Sequence, residues 1–260
     1  MRNSFSLYGL ACTITLVAFG SVYNRASATL VGTDDASQAV YDDSWGSGDD
    51  GSATGDAFGV WTLNTTGGTS GQFIGDSKNL SGGSGADINV SGESFGLFGG
   101  SGSSATATRS LNGTLEVGQT FSLDLAVNFR NGAKGFNLFD ASSTQLFNFN
   151  VGGDDYVVNS ATTGTGSIGN AYSPDTSFNL SFLQTSATGG DWTITRTGGV
   201  TDLDTGTYTG IAASFEFYVN GTDGGSPNDL FVNNLSAVPE PSAFLFGGLI
   251  CGVLGVNFAR

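Results

Sequence analysis

Carboxylates are the chemical groups this chain has in quantity. It contains no histidine, so the commonest general base and transition-metal ligand is missing. Against 23 Asp+Glu stand only 8 Lys+Arg in 260 residues. Several acids fall as doublets or alternating pairs in glycine-rich runs: Asp42-Asp43, Asp49-Asp50-Gly51, Asp154-Asp155 and Asp202-Leu203-Asp204-Thr205-Gly206. Oxygen-rich turns of this kind suit calcium, a hard cation that collects many oxygen ligands. The Asp202 run opens like a calcium loop, yet Ala213 stands where such a loop closes on a glutamate. Asp49, Asp50, Asp202 and Asp204 are therefore weak metal candidates, with solvated turns as the competing reading. No other cofactor is expected.

Catalysis by these groups has little to build on. Hydrolysis of a glycosidic bond takes two carboxylates about 5 to 9 Å apart across a groove. The four glutamates, Glu93, Glu116, Glu216 and Glu240, are scattered, and none sits in an alternating Glu/Asp strand of the kind sandwich glycosidases share. A serine or cysteine nucleophile has no histidine to activate it. The reading is of a non-enzyme. Sugar binding asks for less: an exposed aromatic face for the ring and Asp or Asn for its hydroxyls. Trp45 and Tyr41, in a polar acid-rich loop, are the ligand candidates. Trp61 and Trp192, flanked by aliphatics, read as core.

The elements that must position such groups are strands. Phe121-Ser-Leu123-Asp-Leu125-Ala-Val127-Asn-Phe129 puts its apolar residues on one face, and Phe178-Asn-Leu180-Ser-Phe182, Phe147-Asn-Phe149-Asn-Val151 and Trp192-Thr-Ile194 repeat the alternation. Strands are expected near 58–63, 71–75, 86–91, 94–99, 104–111, 119–130, 134–140, 144–151, 155–159, 176–184, 191–197, 207–220 and 229–236. No stretch between the termini shows a helical period, and no fixed repeat supports a solenoid. The expected fold is all-β: two antiparallel sheets in a jelly-roll or concanavalin-like sandwich. Residues 32 to 57 are expected to wrap one end, pinned by Tyr41 and Trp45. All the acids but Glu240 lie between residues 29 and 238, against Lys78, Arg109, Arg130, Lys134 and Arg196. Nucleic acid is excluded as a partner by that charge.

Both ends differ in composition from this body. Arg2, the apolar run Leu7 to Val22 and Ala26-Ser27-Ala28 read as a signal peptide over 1–28, a helix removed by cleavage at Ala26 and Ala28. The β-sandwich domain is expected over 29–237. From Ser242 to Phe258 no residue is charged, a run long enough to cross a bilayer as a helix, with Arg260 on the cytoplasmic side. Cys12 and Cys251 both fall in these flanking runs, so the body has no disulfide.

Val238-Pro239-Glu240-Pro241-Ser242, the apolar run and the terminal Arg260 together resemble a PEP-CTERM sorting signal spanning 238–260. Parts of the body, "DASQAVYDDSW", "FGVWTL" and "GQFIGDS", are similar to other secreted proteins carrying that signal. The resemblance implies processing at Pro239, Glu240 and Pro241 by an exosortase-like membrane enzyme, a transient membrane anchor through helix 242–258, and a place in the bacterial envelope or matrix with exopolysaccharide. The leading expectation is therefore a non-enzymatic exported surface or matrix protein. A polysaccharide-binding, lectin-like module is the alternative, and a secreted glycan-active enzyme comes third.

Overall fold

The computed structural model describes residues 31–239 apart from 53, 80–83, 154, 161–163 and 169–170, with backbone alone for 164–167. The strands in chain order are β1 (Gly32–Asp34), β2 (Thr54–Gly55), β3 (Phe58–Thr66), β4 (Ser70–Gly75), β5 (Ser94–Gly99), β6 (Ser104–Leu111), β7 (Gln119–Val127), β8 (Ala133–Phe139), β9 (Gln145–Asn150), β10 (Val157–Ser160), β11 (Gly164–Ser167), β12 (Thr176–Ser186), β13 (Gly189–Thr197), β14 (Asp202–Thr209), β15 (Ser214–Asn220) and β16 (Leu230–Pro239). They form two antiparallel sheets. One runs β14-β13-β12-β7-β16-β1-β2, with β5 also on β16 and β4 on β5; the other runs β11-β10-β9-β8-β15-β6-β3. The expected two-sheet sandwich is what the chain forms.

Alternation drives the assembly. In β7, Phe121, Leu123 and Leu125 are wholly buried, while Ser122 and Asp124 between them face outward. Phe178, Leu180 and Phe182 of β12 stand opposite Leu125, Leu123 and Phe121, so one register buries both sets. Across the sandwich Phe121 stacks on Phe215 at 4.8 Å and Phe136 on Phe182 at 5.3 Å, tying the sheets through aromatic faces. Burial of each such ring contributes about 1.5 to 3 kcal/mol.

The pattern misplaced some elements. Residues 86–91 form no strand; Ala86 and Ile88 instead pack with Phe73, Ala126 and Phe231 in a small second core. The run 207–220 is two strands, broken where Gly210 takes a φ of +119°. β1, β2 and β11 were not legible because GTD, TG and GTGS carry no alternation; they form only by pairing on an existing edge. β16 extends to Pro239, past the domain end expected at 237, with Val238 and Pro239 opposite Thr120 and Gln119.

The helices expected at the two termini need correction. Among the described residues the helical segments are two short 3-10 turns, Ala39–Tyr41 and Ser226–Asn228, and no helix is long and apolar enough to cross a membrane. The signal helix 1–28 and the membrane helix 242–258 lie outside the described residues. The anchor, the exosortase-like partner, the envelope address and the sorting function needed that helix together with Pro239, Glu240 and Pro241, and no membrane-crossing helix is found among the described residues. They are left without support and do not enter the function given below.

Strand direction gathers the turns into two groups. Val127, ending β7, stands opposite both Leu230 and Thr176, which begin β16 and β12. Asn220, ending β15, stands opposite Ser104 and Ala133, which begin β6 and β8. The connections leaving β3, β5, β7, β9, β11, β13 and β15 thus share one end of the sandwich.

A candidate binding groove

The aromatic residues singled out from the sequence lie inside. Tyr41 and Trp45 are 3% and 2% exposed, Trp45 packing edge-on against Trp61 with ring centroids 5.1 Å apart. Their ring faces are spent on the core, because the acid-rich segment folds inward around them. Its acids are spent too. Arg109 of β6, wholly buried, forms an ion pair with Asp34 and a second with Asp50 at 2.8 Å, and donates to the Gly59 carbonyl. Tyr41 donates to Asp34 at 2.7 Å and accepts from Trp61 Nε1 at 3.0 Å. The guanidinium carbon lies 4.9 Å from the Trp61 ring centre. Burial raises the Asp34 carboxyl above its ordinary range, against the nearby Arg109 charge that lowers it, and burial likewise raises Tyr41.

The other metal candidates are dispersed. Asp49 accepts from the Gly46 N–H at 2.6 Å. Asp202 and Asp204 sit on β14, an edge strand, and each accepts from the N–H of the next residue at 2.9 Å. No three Asp, Glu, Cys or His side chains converge as a metal site among the described residues. Pro239 ends β16; Ala26, Ala28, Glu240, Pro241 and Arg260 lie outside the described residues.

At the end where the odd-numbered strands terminate there is an open groove of about 500 Å³. Its walls are Gly68 and Thr69 after β3, Phe98, Gly99 and Gly100 at the end of β5, and Gly224, Gly225, Ser226 and Asp229 before β16. Phe98 points away from the core because its neighbours Leu97 and Phe95 take the alternate inward positions. Its ring is 37% exposed and lies over Gly71, its cross-strand partner, where a Cβ would stand 2.7 Å from the ring. Gly71 therefore has to be glycine for Phe98 to lie flat. Side-chain and main-chain hydrogen bonds hold the walls together. Thr222 donates from both N–H and Oγ1 to the Gly99 carbonyl at 2.9 Å, the Gly100 N–H reaches Thr69 O at 2.8 Å, and Asn228 Nδ2 reaches Gly224 O at 2.6 Å.

Asp229 is the titratable side chain of this lining. It is 8% exposed, and no hydrogen bond to its carboxylate comes from any described residue. Burial raises its pKa to about 7, opposed by the charge of Lys134 behind it. Lys134, wholly buried, spends its ammonium on the carbonyls of Phe129 and Asn228 at 2.6 and 2.7 Å rather than in a contact ion pair. Burial lowers it to about 7, with Asp229 opposing. The groove so presents one under-coordinated carboxylate, a fixed aromatic ring and bare glycine backbone.

Sequence reasoning passed over Phe98 and Asp229. Phe98 lies in an alternating strand and reads as core, and Asp229 is one acid among many. The available signal was the glycine doublets, Gly99-Gly100 directly after Phe98 and Gly224-Gly225 four residues before Asp229. Doublets leave backbone uncovered.

No protein-family model matches the chain, and no curated protein matches it. Among solved structures it is similar to the globular domain of T. cruzi calreticulin (8% identity over 71% of this chain and 86% of that one, TM-score 0.42). It is similar also to a legume lectin-like domain from Entamoeba histolytica (12%, 58% and 86%, TM-score 0.36) and to an alginate lyase of Polysaccharide Lyase family 7 (11%, 58% and 80%, TM-score 0.36). The likeness is one of sandwich architecture.

Proposed function

We propose that the chain is a saccharide-binding module, without catalysis, whose site is the Phe98–Asp229 groove. The observation that carries this is a buried carboxylate that no described residue hydrogen-bonds, lining a groove together with a half-exposed aromatic ring. A sugar supplies both complements: hydroxyls that donate to the carboxylate, and an apolar C–H face that covers the ring. Glycine walls keep side chains out of the sugar's path, and the hydrogen-bonded turns hold the site in shape before binding. A groove of this volume falls in the range of small-molecule sites, about 300 to 1,000 Å³. Asp229 stands alone there, and two-carboxylate hydrolysis needs a partner about 5 to 9 Å away, which favours binding over turnover.

Gly68 provides the test. It lines the groove, its φ is ordinary, and a Cβ there meets nothing within 4 Å. Gly68→Leu fills the groove without disturbing the fold. On an array of neutral and acidic glycans the wild-type protein should bind a defined set and Gly68→Leu should lose it, with unchanged thermal unfolding. Binding that survives Gly68→Leu would remove the groove from the function.

A further inference from the structure

Beside the groove, on the same end, lies a second cluster of unusual charge. Phe129 and Tyr172 are 44% and 45% exposed and meet edge to face at 5.7 Å. Next to them Arg130 places its guanidinium carbon 5.0 Å from the ring centre of the buried Tyr156, and Arg196 lies 4.6 Å from the same ring. Arg196 donates to the carbonyls of Ile168 and Ala171, leaving Nε without a partner. Arg130 Nη1 and the Tyr156 hydroxyl are likewise shut from solvent without a hydrogen bond. Among the described residues no carboxylate comes within ion-pair distance of either guanidinium. Asp202, opposite Arg196 in register, bonds the Leu203 N–H instead.

Two arginines around one tyrosine with no acid between them reverse the character of a chain with 23 acids and 8 basic residues. Unpaired surface arginines are commonly just hydrated. Arg130 differs because stacking on Tyr156 fixes its plane in advance, and a second cation behind the same ring adds to its field. The cluster joins the groove through a short ridge: the Phe129 N–H donates to Pro227 O at 3.0 Å, and Lys134 ties the Phe129 carbonyl to that of Asn228, next to Asp229.

We infer that Arg130, Phe129 and Tyr172 form a second subsite that takes a carboxylate-bearing sugar unit, a uronate, of a chain whose neighbouring unit fills the groove. This rests on the saccharide reading of the groove. The free guanidinium edge receives the carboxylate as a charge-assisted pair, and the aromatic pair covers the sugar's apolar face. The ligand is thereby a saccharide with one uronate unit, held by its charge at the Arg130 subsite, and a neutral unit held by its hydroxyls in the groove, where a second carboxylate would meet Asp229.

Calorimetric titration of the full chain with a galactotriose carrying one terminal galacturonate and with neutral galactotriose tests this. The wild type should prefer the acidic trisaccharide by about tenfold, the worth of one charge-assisted hydrogen bond. Arg130→Gln should erase that preference and leave galactotriose affinity unchanged, while Asp229→Asn weakens both. A preference that survives Arg130→Gln overturns the subsite and leaves the groove standing. Uronate binding that depends on Arg130 and ignores Asp229→Asn overturns the groove and the linked arrangement inferred from it. A wild type that binds neither trisaccharide overturns both. A glutamate-containing peptide binding as tightly as the acidic trisaccharide, and lost in Arg130→Gln, would assign the cluster to acidic peptides instead.

Discussion

Two buried carboxylates, each near a buried cation, serve opposite ends. Asp34 is locked: Arg109 and Tyr41 both bond it, and Arg109 binds Asp50 and Gly59 besides. Asp229 is left open: Lys134 turns its ammonium to two carbonyls, and the carboxylate faces the groove. Burial raises the pKa of both acids. A pKa shift by itself therefore does not separate a structural carboxylate from a functional one. Partners do. Asp34 takes Arg109 and Tyr41 on Oδ2 while its Oδ1 is sealed in without a partner, so its desolvation is offset within the protein; Asp229 has no such bond and lines an open groove, where a ligand has something to gain.

The largest effect expected from this contrast is on stability. Arg109→Met keeps the volume and removes the partner of a carboxylate with no access to water, a change that costs about 3 to 5 kcal/mol. In a domain of this size that lowers Tm by on the order of 10 °C, readable by calorimetry. Asp229→Asn should shift Tm by no more than about 2 °C, because it removes a buried charge that has no contact ion pair. Its effect belongs to binding, a loss of about tenfold or more for neutral and acidic saccharides alike, as expected when a charged acceptor becomes a neutral one. Equal destabilisation by both variants would make Asp229 a second structural pair and end the contrast.

pH sharpens the same comparison with a smaller effect. Asp229 holds its proton in the folded chain up to about pH 7 but only to its ordinary value of 3.8 when unfolded. The native state therefore binds more protons between those values, and the Asp229 contribution falls as pH rises across that window. Lys134, lowered to about 7 from 10.5, acts oppositely and above it: the unfolded chain binds more protons there, so its penalty is relieved as pH rises from about 7. Asp229→Asn should flatten the lower window and, by removing the charge that holds Lys134 up, extend the upper one to lower pH. Affinity for a neutral saccharide should rise through pH 7 as the carboxylate becomes an acceptor at both oxygens, and Asp229→Asn should abolish that rise. An affinity flat across pH 5 to 8 in the wild type would take Asp229 out of the contact.

The sequence carried the sandwich because alternation such as Phe121, Leu123, Leu125 is a local signal with a global consequence: only a two-sheet core buries one face of so many strands. It also carried the pinning of residues 32 to 57 by Tyr41 and Trp45, which in a polar run have to be buried somewhere, although the segment adds β1 and β2 to a sheet. The ligand role read for those rings followed from the polarity of their neighbours, but Asp34 and Asp50 are polar because they pair with Arg109, fifty or more positions away. The groove was illegible for the same reason. Gly68, Phe98 and Asp229 meet only through the order of the strands, and nothing local marks that Lys134 leaves Asp229 unbonded. Long-range partners decide which acid is free, and they are not written beside it.

The smallest effect concerns the acid-rich turns, where calcium would act if it acted anywhere. Asp50 is committed to Arg109 and Asp49 to the Gly46 N–H; Asp202 and Asp204 each bond a neighbouring main-chain N–H on an edge strand. Calcium would have to displace these bonds and gather ligands from separate places, whereas its sites form where several oxygens already converge. What remains is repulsion among acids, which any salt screens. Millimolar calcium should then raise Tm by about as much as sodium chloride at matched ionic strength, a degree or so, against a shift of several degrees for a ligand at about a hundredfold excess over its Kd. A calcium shift well above the sodium shift, lost in Asp49→Asn, would show that the locked end of the molecule binds a ligand as well, and the division of labour between the two carboxylates would have to be redrawn.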